Sequence, residues 1–70
     1  MPQTWRATAT DFLLFDEAKS MDAALAPLGF ELLPRPRVWN QGNHFTVRLV
    51  WRQRETRDSA TLALRICQLA

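Results

Sequence analysis

Catalysis and metal binding draw on a short list of side chains, and this chain is sparing with them. His44 is its single histidine and Cys67 its single cysteine. A nucleophile or general base needs a second group to activate or orient it, and no Asp, Glu, Ser or Cys lies beside His44 in sequence. His44 and Cys67 could meet across a sheet, but a small buried thiol is the plainer reading of Cys67. Three or four ligands are the usual requirement for a metal, and one His with one Cys does not furnish them. Asp16 and Glu17 are adjacent, so on a helix they point about 100° apart and do not converge on one atom. With only Gly29 and Gly42 there is no glycine-rich phosphate loop. The expectation is a protein that is not an enzyme and carries no metal or cofactor.

The arginines are the richer signal. There are eight, against one lysine. Residues 1 to 30 hold two basic and four acidic side chains, a net of −2; residues 31 to 70 hold seven basic and three acidic, a net of +4. In the segment after Asn43, Phe45, Val47, Leu49 and Trp51 alternate with His44, Thr46, Arg48, Val50, Arg52 and Arg54. On a strand this puts the first set inward and the arginines outward. Arg65, on a following antiparallel strand, falls on the same outer face, and Arg35 and Arg37 flank it from an extended edge. Such guanidinium groups bind carboxylates or phosphates, often bidentately. Trp39, near the Asn40-Gln41-Gly42-Asn43 turn, is the one aromatic expected to be exposed there. The plain alternative is an ordinary solvated face.

The elements that must position these residues follow from periodicity. Gln3 to Thr10 alternates Trp5, Ala7 and Ala9 with polar residues and reads as a first strand. Leu14, Ala18, Met21, Leu25 and Leu28 form a helical stripe on a helix beginning near Asp11 or Asp16, either of which suits an N-cap. Asp16, Glu17 and Asp22 are expected to face water. Gly29 supplies a left-handed stop, and Pro27 ends the regular helix near Ala26. Phe12 to Phe15 fits either the first strand or the helix. Phe30 to Leu33 is a short strand that meets Pro34-Arg35-Pro36-Arg37, an extended path suited to a sheet edge or to the chain outside it. Ala60 to Leu69 closes the sheet, with Leu62, Leu64 and Ile66 inward and Thr61, Ala63, Arg65, Cys67 and Leu69 outward.

Seventy residues with this order predict one small α+β domain over residues 1 to 70: β-α-β-β-β, an antiparallel sheet with one helix on one face. The longest apolar runs, such as Phe12 to Phe15, are too short to span a membrane. There is no apolar leader after Met1 and no possible internal disulfide, so a reducing cytoplasm is expected.

Function is read as a binding module that docks on a protein or nucleoprotein complex through Arg48, Arg52, Arg54, Arg65, Trp39, Arg35 and Arg37. Two alternatives stand beside it: nucleic-acid binding by the same arginines, and a structural homodimer joined through the last strand. No motif matches a named family. Size and make-up resemble, in genre only, phage and mobile-element proteins that inhibit bacterial machinery, anti-CRISPR proteins included.

Overall fold

The computed structural model describes residues 7 to 67. Helix α1 spans Asp16–Leu25, and four strands follow: β1 Phe30–Leu32, β2 Arg37–Asn40, β3 His44–Gln53 and β4 Ser59–Cys67. All pairings are antiparallel. β3 is the central strand: β4 lies along one side, while β1 and β2 share the other, β2 beside its first half and β1 beside its end. Pro34 and Pro36 lie in the link between β1 and β2, where missing N–H groups cost no ladder bond. The chain is an α+β domain with one helix on an open antiparallel sheet.

The core lies between α1 and the inner sheet face. Val47, Leu49, Trp51 and Leu64 are buried against Ala18 of α1 and against Ala9 and Phe12. Met21, Leu25, Phe30, Leu32, Val38, Leu62 and Ile66 pack around them. The alternation along β3 therefore does what its period of two implies. No helix among the described residues is long and apolar enough to cross a membrane.

Several local expectations are corrected. Of the supposed first strand, residues 3 to 6 lie outside the described residues, and Ala9–Leu14 is a 3-10 helix. The Asp11 carboxylate accepts the Thr8 N–H at 2.8 Å, and the Ala9 N–H donates to the Pro34 carbonyl at 2.9 Å. Ala9 and Phe12, both buried, then stack with the three-residue spacing of a 3-10 turn. Small residues alternating with threonines fit both conformations. The fourth strand of the sheet is instead Arg37–Asn40, masked in the sequence by the prolines before it.

The helical stripe holds in its middle and fails at its ends. Ala18 is fully buried, whereas Leu14 is 86% exposed and Leu28 62%. Both lie outside α1, Leu14 in the preceding 3-10 helix and Leu28 in the Ala26–Leu28 3-10 turn. Phe15, not an aspartate, occupies the N-cap position of α1. Asp16 and Glu17 instead sit in its first turn, where their charge suits the helix dipole.

Pro27 is accommodated in the final 3-10 turn, and Gly29 closes it at φ +84°. A Cβ on Gly29 would stand 3.1 Å from Gln53 Nε2 in addition to the left-handed strain. Gly29→Ala is expected to cost about 1–2 kcal/mol, a fall of about 1 M or more in the urea midpoint.

Asp22 does not face water. It is half-buried, and its Oδ1 accepts the Trp51 indole N–H at 2.9 Å, pinning α1 to the later part of β3. Removing that acceptor leaves the indole N–H of a fully buried ring unpaired. Asp22→Ala is expected to cost about 1–3 kcal/mol in denaturant unfolding. Asp22→Asn, which keeps an acceptor oxygen, should recover most of it.

Candidate functional site: the outer face of the sheet

The helix covers one face of the sheet, and the register specifies what the other carries. Trp39 pairs with Thr46 and Thr46 with Arg65; Arg37 pairs with Arg48 and Arg48 with Ala63; Val50 pairs with Thr61; Glu31 pairs with Arg52 and Arg52 with Ser59. Directly paired residues share a face. The result is a surface of arginines interleaved with Trp39, Val50, Ala63 and Thr61.

At its centre Arg37 and Arg48 stand directly opposite each other. Like charges so placed are destabilising. The Arg48 guanidinium lies over the Trp39 ring, 5.1 Å from its centroid, a cation–π contact that offsets part of the repulsion. Trp39 is 39% exposed. Arg65 is diagonal to Arg48 beside Thr46. No carboxylate lies in salt-bridge range of Arg37, Arg48 or Arg65 among the described residues. Thr46 is oriented by its hydroxyl, which donates to Gln41 Oε1 at 2.6 Å. The turn that carries Gln41 is held by the Gly42 N–H donating to Asn40 Oδ1 at 3.0 Å, with Gly42 at φ +88°.

The remaining arginines fall elsewhere. Arg52 is on the same face but four residues along β3 from Arg48, about 13 Å at the usual rise. Arg54 does not continue the row: β3 ends at Gln53, and the chain turns over residues 54 to 56. Gln53 Oε1 makes that turn by accepting the Glu55 and Thr56 N–H groups at 2.5 and 2.6 Å. Arg54 Nε contacts Glu31 Oε1 at 3.3 Å, an exposed pair of small energetic weight. Arg52, Arg54 and Arg57 line a shallow depression with Glu31, so this second cluster carries its own counter-charge. Arg35 is exposed in the link between the prolines. The sequence reading missed Arg57 and the stacking of Arg48 on Trp39, the latter because it depends on β2 being a strand.

Cys67 is exposed, so the buried-thiol reading fails, and its register partner is His44. Neither side chain makes a hydrogen bond with a described residue, and no group of three or more potential metal ligands occurs among the described residues. Leu69 lies outside the described residues.

Comparison of the chain with protein-family models, with curated proteins and with solved structures finds no match.

Proposed function

We propose that the protein is a non-enzymatic binding module that docks, through the outer face of its sheet, on an acidic surface of a larger protein or nucleoprotein complex. One observation carries this reading. Arg37 and Arg48 are held opposite each other with no carboxylate in range among the described residues, an arrangement that costs stability in the free protein and is relieved by an acidic ligand. Val50, Ala63 and Trp39 among these charges give the mixed apolar and arginine-rich surface favoured at protein interfaces. Trp39 anchors, and Arg37, Arg48 and Arg65 pair with carboxylates.

The single thiol suits a reducing compartment, and the reading places the module in the cytoplasm. Such a module acts by occupancy, and the proposal extends to inhibition of bacterial machinery by a phage or mobile-element protein.

Capture from a bacterial lysate, with and without nuclease, tests the proposal. A protein retained by the wild type after nuclease and lost with Arg48→Glu/Arg52→Glu is the expected result. Equal capture by both forms contradicts it.

The placement of Trp39 on the arginine face favours a second reading, direct binding of single-stranded nucleic acid by stacking and charge. Trp39 is the one aromatic platform on this face among the described residues and is already covered on one side by Arg48, so this reading stands second. It requires a mobility shift at micromolar protein that weakens steeply with salt.

A further inference from the structure

The edge of the sheet at β4 is more specific than the face. β4 pairs only with β3 among the described residues, over nine residues, Ser59–Cys67. The opposite edge is broken into β1 and β2 and carries Pro34 and Pro36, common ways of blunting an edge. β4 has no proline, and its one charge is Arg65.

Which backbone groups it presents can be read from two hydrogen bonds. The Leu33 N–H donates to the Val50 carbonyl, and the Gln53 N–H to the Asp58 carbonyl, both at 2.8 Å. Even-numbered residues of β3 thus address β1 and β2, and odd-numbered ones address β4. Through the register Val47↔Leu64 and Leu49↔Leu62, the β4 residues turned toward β3 are Ala60, Leu62, Leu64 and Ile66. Ser59, Thr61, Ala63, Arg65 and Cys67 point their N–H and C=O groups outward.

We propose that this edge joins two copies of the chain, the β4 strands pairing antiparallel about a two-fold axis at Ala63. In that register Thr61 faces Arg65 and Ser59 faces Cys67 of the second copy. All outward backbone groups are satisfied, and Leu62 meets Leu64 on the inner face. Every described residue of the strand pairs, whereas a slip leaves some of the described residues unpaired, and a slip centred on Arg65 sets two guanidiniums opposite each other.

A second, independent observation lies beside the axis. Phe15, Asp16 and Glu17 border a surface groove with Ala63, Leu64 and Arg65, so its lining is part apolar and part charged. Phe15 is 41% exposed and its neighbour Leu14 is 86% exposed, a large apolar exposure for so small a domain. Because Ala63 sits on the axis, Phe15 of each copy comes against the other. The dimer places both arginine faces on one continuous sheet surface. It does not rest on the acidic-partner reading, and Arg48→Glu/Arg52→Glu should leave it intact.

Sedimentation of the full chain should show a concentration-dependent monomer–dimer equilibrium. Ala63→Pro removes an outward N–H without touching the β3 ladder, so it should give a folded monomer by circular dichroism. Phe15→Asp, at the N-cap position of α1 where an aspartate is favoured, should weaken association tenfold or more and decides the matter if the proline variant does not fold. In a Cys67→Ser background, Ala63→Cys should form a disulfide dimer on oxidation, since directly paired Cα atoms stand about 5.5 Å apart, while Thr61→Cys alone should not. A monomer at every concentration, a dimer unaffected by both Ala63→Pro and Phe15→Asp, or equal cross-linking at 61 and 63 would overturn the proposal. So would a dimer that forms only when residues 1 to 6 are deleted, which would assign the edge to the chain's own N-terminal segment.

Discussion

Trp51→Ala is expected to leave the chain largely unfolded at 25 °C. Trp51 is fully buried near the end of β3, and its indole N–H makes the hydrogen bond that fastens α1 to the sheet. Truncating a core aromatic costs about 3–5 kcal/mol, transfer and cavity together. Loss of the donor also strips the half-buried Asp22 carboxylate of its partner. Globular domains hold about 0.05–0.15 kcal/mol per residue, so a chain of seventy residues has about 4–10 kcal/mol in all. The loss is therefore a large share of the total. Urea unfolding followed by circular dichroism would check it: a cooperative transition within 1 M of the wild type would mean that the core does not centre on Trp51. Trp51→Phe keeps most of the volume but not the N–H, and should fall between the two.

Arg48→Glu should do the opposite: abolish binding and spare the fold. The position is exposed, and its cross-strand neighbour is Arg37. Reversal turns a like-charge pair into an attractive one, a gain of about 0.2–1 kcal/mol, set against the lost cation–π contact with Trp39, worth about 0.5–1 kcal/mol at an exposed site. These nearly cancel, so the thermal midpoint should move by only a few degrees. Against an acidic partner the same change replaces attraction by repulsion at the centre of the surface, and truncation of a central arginine alone commonly costs about 2–4 kcal/mol. A fall in affinity of thirtyfold or more with an unchanged midpoint is the expected pair of results. A variant that binds as well as the wild type would remove Arg48 from the site. Arg54→Glu, whose charge already faces Glu31, should be nearly silent by comparison.

The sequence disclosed the sheet's two faces more clearly than its strand order. The alternation from His44 to Gln53 is long enough for the period to be unambiguous, and with it came Arg48 and Arg52 on one side and Trp51 on the other, with Arg65 joining the arginines from the next strand. Gly29 and Pro27 marked the helix end because their backbone constraints act locally. What depends on distant partners was hidden. Asp22 reads as a solvated acid on its own helix, and only the arrival of Trp51 twenty-nine residues away makes it a half-buried acceptor. Arg37–Asn40 becomes a strand because β3 offers it a ladder, which the prolines before it do not reveal. The opening segment misled because Ala7 and Ala9 are small enough for either period, and the turn is decided by Thr8, Asp11 and the Pro34 carbonyl. The central pair of arginines inherits the same limit: their proximity is a register fact.

The claim that the outer sheet face is the docking surface is tested most directly by amide hydrogen exchange of the protein alone and in complex with whatever protein it captures after nuclease treatment. Binding through this face predicts added protection in β2 and in the β3 and β4 segments around Arg48 and Arg65, with α1 unchanged. Protection confined to α1 and the turn that follows it, with β2 exchanging as in the free protein, would contradict the account.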